Sequence, residues 1–170
     1  MKPAFAALKP RLLGPPPRTL AAAESLTGGR VQARVAEISG ASGFFLGGVT
    51  AYTLAQKVKL LGVDRAHAAR VNCVSARVAQ EMAAGACRLF GADVAVATTG
   101  YAERFAAEDG AVIEPMAWWA IAARDRRGRA RAVRHGRVEC PGATRTDTQQ
   151  FVADAVLGAL VTWLETEGGV

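Results

Sequence analysis

Hydrophobic positions along the chain follow two patterns, short unbroken apolar runs and longer stretches with a repeat of about 3.6 residues. Apolar runs over 19–24 and 93–99 are short and bounded by polar residues or glycine, as expected of buried strands. Residues 44–53 are rich in β-formers and contain two adjacent glycines, which predicts a strand with a bulge or a close backbone approach. These three segments predict the centre of a sheet.

Segments with the helical repeat lie between these strands and after them. Residues 30–38 carry valine and isoleucine at helical spacing, and Thr27 is the predicted N-cap of this helix. The strongest apolar stripe covers 76–90, with Ser75 as its N-cap. Further helices are predicted over 55–61, 64–70 and 151–164.

The remaining elements complete a layered α/β protein. Residues 116–123 and 130–138 predict a hairpin, and the alternation of helices with strands favours an α/β sandwich. Three consecutive prolines end a short N-terminal helix, because proline cannot continue one. The predicted organisation is an N-terminal helix with a proline-rich connection over 1–17, followed by one domain over 18–170.

Composition indicates a folded domain without the common metal or disulfide patterns. The 170 residues are 51% hydrophobic and 21% charged, which suits a globular core. The three cysteines lie far apart and form no CxxC pair, so we expect no disulfide framework, no metal and no cofactor. No apolar run reaches the roughly 18 residues of a membrane span, and no signal-peptide pattern is present. We therefore expect a cytoplasmic protein without membrane contact.

Positive charge is concentrated in the predicted hairpin. The formal net charge is +6, and seven arginines fall between positions 124 and 137, where Asp125 is the acidic residue. Such a patch is typical of proteins that bind nucleic acid, but this stretch lacks aromatic residues to stack on bases. We expect a solvated hairpin and no nucleic-acid partner. The seven are Arg124, Arg126, Arg127, Arg129, Arg131, Arg134 and Arg137.

The loop after the first predicted strand carries polar residues suited to an anion. Ser25 and Thr27 supply hydroxyls, and Gly28 and Gly29 follow at the start of a helix. Backbone N–H groups at such a turn can bind an anionic group, and ordinary helix capping is the alternative. Neither a GxGxxG nor a GxxxxGK[ST] motif is present, which gives no support to a dinucleotide fold or a P-loop.

Two further loops carry candidate chemistry. Ser42 lies in a glycine-rich turn, and Tyr52 and Lys57 follow it. This order is typical of an activated nucleophile if burial keeps the lysine neutral, whereas a solvated lysine is the alternative. Thr99 ends the predicted strand over 93–99, and Arg145 precedes the last predicted helix. An arginine beside a helix start can hold a phosphate, although a surface arginine is equally ordinary there.

Taken together in one register, five segments resemble the C-terminal domain of the CinA competence/damage-inducible proteins, closely over 19–100 and more loosely to 164. The resemblance implies a three-layer α/β/α sandwich with a mixed sheet and a homodimer. It also implies hydrolysis of the carboxamide of nicotinamide mononucleotide to nicotinic acid mononucleotide and ammonia, in NAD recycling. The chain would be the stand-alone form of the domain. The segments are AAESLTGG (22–29), ISGASGFFLGGVTAY (38–52), AQKVKLLGV (55–63), VSARVAQEMAAGA (74–86) and GADVAVATTG (91–100).

The resemblance implies catalytic roles for four residues. Ser42 matches the serine nucleophile, and Lys57 matches the lysine that activates it. Tyr52 and Thr99 match two further site residues. A lysine can pass the serine proton on to departing ammonia, which a serine alone cannot do.

The resemblance also implies how the substrate is bound. Ser25 and Thr27 match hydroxyls near the ligand, beside the glycine pair that follows them, and Arg145 would face the phosphate of the nucleotide. Backbone N–H groups near Gly28 or Gly43 are expected to stabilise the developing oxyanion.

The second half of the chain departs from the family pattern. Where the family has G-I-A-G-P after its threonine-glycine pair, larger residues follow Gly100, and K-P-V-G-T is replaced by residues 114–118. The alternative to an active amidohydrolase is therefore an inactive or retuned paralogue that binds another ligand or a protein. Glu103, Arg104 and Trp118 would favour that alternative if they filled the pocket beside the nucleophile.

Overall fold

The centre of the protein is a mixed sheet of five strands in the order β2-β1-β3-β6-β7. The computed structural model describes residues 4–166. β1 is parallel to β2 and to β3, and β6 is antiparallel to both β3 and β7. β4 and β5 form a separate two-stranded ribbon. The strands are β1 (Leu20–Glu24), β2 (Phe45–Thr50), β3 (Val94–Tyr101), β4 (Phe105–Ala106), β5 (Val112–Ile113), β6 (Met116–Arg124) and β7 (Ala130–Glu139).

Helices cover both faces of the sheet, which confirms the three-layer α/β/α sandwich. In β1, Leu20 and Ala22 pack on one side with α1, α2 and α6, while Ala21 and Ala23 pack on the other with α3, α4 and α5. The alternation follows from the two-residue period of a strand. The helices are α1 (Leu8–Leu13), α2 (Arg30–Ala36), α3 (Leu54–Leu61), α4 (Arg65–Arg70), α5 (Ala76–Phe90) and α6 (Arg145–Thr166).

The packing of α3 on α5 fixes the depth of α3 beside the sheet. A Cβ atom at Gly85 would lie 2.2 Å from the carbonyl oxygen of Leu61, so only glycine permits this approach. Arg88 then donates to the same carbonyl at 3.0 Å. Because α3 carries Lys57, this contact helps to set how deeply that lysine is buried.

Most predicted elements form within a few residues of their expected positions, and α6 and the β4–β5 ribbon are the main differences. α6 begins at Arg145 rather than 151, because the Thr144 hydroxyl accepts the Asp147 N–H at 3.2 Å and donates to its carboxylate at 2.6 Å. The sequence did not predict the β4–β5 ribbon. Among residues 4–166, no helix is long and apolar enough to cross a membrane.

Candidate active site

A cavity of about 500 Å³ opens where the parallel strands β1, β2 and β3 end. Ser25 follows β1, Tyr52 follows β2, and Thr99 lies near the end of β3, so all three line this cavity. Lys57 reaches the cavity from α3, and Arg145 reaches it from the first residue of α6. The carboxyl edge of an open α/β sheet is the usual ligand site, because loops from several strands converge there.

The Lys57 amine is the buried polar group at the floor of the cavity. Lys57 is 1% exposed, and its Nζ lies 2.9 Å from the Ser25 Oγ, 2.9 Å from the Ala51 carbonyl oxygen and 3.1 Å from the Tyr52 carbonyl oxygen. Burial lowers the pKa of Lys57, and the nearby Cys73 thiol partly opposes that shift. A neutral amine has two N–H donors for the carbonyls and one lone pair for the Ser25 hydroxyl. The three acceptors also suit the three donors of an ammonium, so the contacts fit either protonation state, and burial favours the neutral one.

The Glu24 carboxylate holds the turn that presents Ser25. Glu24 is fully buried and accepts the Thr27 hydroxyl at 2.6 Å. It also accepts the backbone N–H groups of Gly29, Gln32 and Val31 at 2.8, 2.9 and 3.2 Å. The start of α2 thus binds an anion, as the sequence predicted, but the anion is a side chain of the protein itself.

The structure does not bring Thr27, Gly28 and Gly29, which were predicted to bind substrate, into the cavity. The Thr27 hydroxyl is buried between Glu24 and Thr98, to which it lies at 2.8 Å. None of the three residues lines the cavity, and Thr27 is not the N-cap of α2, which is Gly29. The Glu24 carboxylate accepts from the Thr27 hydroxyl and the N–H groups of the turn because a fully buried carboxylate needs several hydrogen bonds.

The structure also does not bring Ser42 and Lys57 together. Ser42 is exposed in a 3-10 turn, Ala41–Gly43, that precedes β2, whereas Lys57 lies beyond the other end of that strand. The six residues of β2 separate the two ends by roughly 20 Å, at about 3.3 Å per residue. Ser25, from the neighbouring parallel strand, occupies the position beside Lys57.

The backbone donors expected to stabilise an oxyanion are engaged elsewhere. The Gly28 N–H donates to the Ser25 carbonyl at 3.2 Å, and the Gly43 N–H donates to the Gly40 carbonyl at 3.1 Å. Gly43 also lies on the Ser42 turn, at the far edge of the sheet. Neither glycine is placed to act as the predicted donor.

Thr99 supports a strained turn on the cavity wall. Its hydroxyl donates to the Cys73 carbonyl at 2.7 Å. Asn72 and Cys73 have φ values of 47° and 61°, a left-handed conformation that non-glycine residues rarely adopt. Each such residue costs about 1–3 kcal/mol and persists where surrounding contacts impose it. The hydrogen bond from Thr99 is one of the contacts that hold Cys73 in this conformation.

The mouth of the cavity is formed by polar and aromatic side chains. Arg145 donates through one nitrogen to the Tyr52 hydroxyl at 2.7 Å and through the other to the Glu103 carboxylate. The Tyr101 and Phe105 rings lie 4.9 Å apart on the same wall. Glu103 is a site residue that spacing alone did not assign, and only its departure from the family pattern drew attention to it.

The cavity stays open despite the larger residues that replace the family pattern, Glu103, Arg104 and Trp118. Glu103 and Arg104 line it, and Arg104 forms an ion pair with Glu114 at 3.2 Å. Trp118 does not line it, and the Arg137 guanidinium covers its ring at 5.8 Å. Across the described residues 4–166, no cluster of histidine, cysteine or carboxylate side chains is suited to a metal ion.

The sequence of this chain is similar to a known family model and to curated proteins. The family model described as CinA C-terminal domain matches residues 10–164. A CinA-like protein of Mycolicibacterium vanbaalenii is 52% identical over 85 residues, which cover 50% of this chain and 20% of that protein. The matched segment thus spans about a fifth of the length of these curated relatives.

Solved structures match over nearly the whole chain. The competence damage-inducible protein A (ComA) of Klebsiella pneumoniae superposes with a TM-score of 0.82 and 28% identity, covering 96% of each chain. The competence/damage inducible protein CihA of Agrobacterium tumefaciens gives a TM-score of 0.80 and 26% identity, covering 98% of each chain.

Proposed function

Because this chain belongs to the CinA C-terminal domain family, we propose that it is an amidohydrolase of nicotinamide mononucleotide or a close relative. The observation that carries the proposal is the 2.9 Å contact between the buried Lys57 amine and the Ser25 hydroxyl at the floor of an open cavity. Nucleophilic catalysis by serine requires a base within hydrogen-bonding distance, and Lys57 meets that requirement.

In the first step, the neutral Lys57 amine accepts the Ser25 hydroxyl proton. The serine oxygen forms a bond to the carboxamide carbon, and the π electrons of the carbonyl move onto its oxygen. Burial of Lys57 lowers its pKa, so a larger fraction of the amine is neutral in the resting site and available to act as the base.

In the second step, the tetrahedral intermediate breaks its bond from carbon to nitrogen. The Lys57 ammonium returns its proton to the departing nitrogen, which leaves as ammonia, and Ser25 is left as an ester of the acid. Water then attacks the ester carbon while Lys57 accepts a water proton. That proton returns to the Ser25 oxygen as the ester bond breaks, which releases the carboxylic acid and restores the site.

The mouth of the cavity supports binding of an aromatic ring and an anion. Tyr101 and Phe105 offer an apolar wall for a pyridine ring, and Arg145 offers a guanidinium for a phosphate. The phosphate must compete with Glu103, which already holds Arg145. This competition is the principal change that the divergent second half brings to the site.

The Glu103 contact also favours a second candidate function. A carboxylate on Arg145 disfavours a phosphate at that place, so the same catalytic pair would serve an amide without phosphate, such as the riboside. In this retuned form the Ser25–Lys57 chemistry is unchanged and only the substrate differs.

Ammonia release from nicotinamide mononucleotide by the purified protein tests the proposal. Ser25→Ala should lower kcat/KM by about 10³-fold or more, because it removes the nucleophile. Ser42→Ala is the matched control and should stay within about twofold, because Ser42 lies on the opposite edge of the sheet.

Three outcomes separate the hypotheses. A folded wild type that releases no ammonia from the mononucleotide overturns the leading proposal. Turnover of the riboside but not the mononucleotide then supports the second candidate. Loss of activity in Ser42→Ala with retention in Ser25→Ala would overturn the assignment of the nucleophile.

A further inference from the structure

A second cavity, of about 670 Å³, lies near the amino ends of the parallel strands β1 and β3, whereas Ser25 follows the carboxyl end of β1. Its walls come from the segment before β1, the first residues of β3 and the end of β6, where the arginine-rich hairpin begins. The proposed amidohydrolase activity makes no use of this hairpin. The charged and aromatic side chains that line it are Arg18, Asp93, Arg124, Asp125, Arg131 and Trp163.

The guanidinium groups of this cavity lack acidic partners. Across residues 4–166, no carboxylate pairs with Arg18 or Arg131, and the Arg18 guanidinium lies 6.0 Å from the centre of the Trp163 ring. Arg124 donates through one terminal nitrogen to the Cys87 carbonyl at 2.9 Å. The Nε of Arg124 is buried and has no hydrogen-bond partner among the described atoms. Arg18 and Arg131 therefore retain donors for a ligand, and Arg124 adds its charge to the cavity.

The two carboxylates of the cavity are engaged by other groups. Asp93 accepts the backbone N–H of Thr19 at 2.8 Å and its hydroxyl at 2.7 Å. Asp125 accepts the backbone N–H groups of Arg127 and Arg129, and the Arg129 Nε at 2.9 Å. These hydrogen bonds leave both carboxylates charged, but Arg129 pairs with Asp125 and three guanidinium groups lie around the remaining Asp93, so the cavity keeps an excess of positive charge.

We propose that this cavity is a binding site for a small molecule carrying a pyrophosphate group. Guanidinium groups bind phosphate oxygens through paired hydrogen bonds, and Arg18 and Arg131 around one hollow, with the charge of Arg124 beside them, match two adjoining phosphates. The volume lies in the range of ordinary ligand pockets. A nucleic acid fits less well, because Trp163 is only 5% exposed and offers no ring face for a base.

Calorimetric titration with sodium pyrophosphate at physiological ionic strength tests the site. The wild type should bind pyrophosphate at one site, and Arg131→Gln should weaken binding by about tenfold. Arg126→Gln is the matched control, because it removes the same charge from the same hairpin but does not line the cavity. Its affinity should stay within about twofold of the wild type.

Further variants identify where pyrophosphate binds. Arg145→Gln should leave the affinity unchanged, and a large loss there would place the anion in the active-site cavity and overturn the proposal. Equal losses in Arg126→Gln and Arg131→Gln would indicate a diffuse basic surface and also overturn it. The proposal fails as well if pyrophosphate does not bind, or if duplex DNA binds more tightly and displaces it.

Discussion

The carboxyl ends and the amino ends of the parallel strands form two opposite edges of the central sheet, the carboxyl edge and the amino edge. Each presents a serine near a glycine turn, but the surroundings of the two serines differ. At the carboxyl edge, Ser25 is 8% exposed and contacts a lysine that is itself 1% exposed. At the amino edge, Ser42 lies exposed on a 3-10 turn. A serine becomes a candidate nucleophile through a buried base beside it, and the local motif does not reveal which serine has one.

The same contrast applies to charge. At the carboxyl edge, the Glu24 carboxylate and the Lys57 amine are buried and satisfied by hydrogen bonds. At the amino edge, Arg18 and Arg131 line a hollow without acidic partners among residues 4–166. Buried, satisfied groups suit chemistry on a neutral amide, and open guanidinium groups suit the capture of an anion.

After the loss of Ser25 itself, the largest expected effect comes from removing the base at the carboxyl edge. Lys57→Met keeps the length of the side chain but removes the amine, so amidohydrolase activity should fall by about 10²-fold or more. The matched change Lys59→Met, on an exposed position of the same helix, should leave activity within about twofold. If a folded Lys57→Met protein retained activity, the carboxyl edge would not be the reacting edge.

The anchor of the Ser25 turn should have the next largest effect. Glu24→Gln places an amide N–H₂ group against backbone N–H donors, so urea unfolding should show a loss of about 3 kcal/mol in the free energy of unfolding. Glu37→Gln, at the exposed end of α2, should change it by less than about 0.5 kcal/mol. Equal effects at both positions would contradict the anchoring role of Glu24.

The lowered pKa of Lys57 should make both activity and stability depend on pH. Below that pKa the amine is protonated, so kcat/KM should fall by about tenfold per pH unit as pH decreases. Stability should also rise with pH between the lowered pKa and the ordinary lysine value, because there the unfolded chain binds the proton and the folded chain does not. Lys57→Met should abolish this rise, and an unchanged rise would assign it to another group.

The smallest expected effect concerns Glu103 at the mouth of the active-site cavity. Glu103→Gln frees Arg145 for a phosphate, so the KM for nicotinamide mononucleotide should fall by about threefold with little change in kcat. The effect is modest because both side chains are largely exposed and their pairing is screened. Glu114→Gln, which releases Arg104 instead, is the control, and an equal fall there would indicate a general loss of negative charge.

Local periodicity was sufficient to predict most of the fold. The stripe over 76–90 matches α5 in full, and the hairpin over 116–138 matches β6 and β7 closely, since both patterns are set by neighbouring residues. The early start of α6 depends on a local contact between Thr144 and Asp147 that the apolar repeat does not register. The short β4–β5 ribbon has too few residues to produce a periodic signal.

The site was harder to predict because it joins residues from different strands. Ser42, Tyr52 and Lys57 are near one another in sequence, yet β2 carries the chain across the sheet between the first and the other two. Once β2 is taken as a strand, its rise of about 3.3 Å per residue places Ser42 too far from Lys57 for the two side chains to pair. Ser25 and Lys57 meet because parallel strands end at one edge, which is a property of the sheet order.

The strained turn at Asn72 and Cys73 also gives the active site a thiol that a reagent can reach. Burial raises the pKa of Cys87 to about 12 and raises the pKa of Cys140, so neither thiol competes well for an alkylating reagent at neutral pH. Cys73 is half-buried and lines the cavity beside Lys57, so a maleimide should label it first. The rate of that labelling would then report directly whether a ligand occupies the cavity, without any need for turnover.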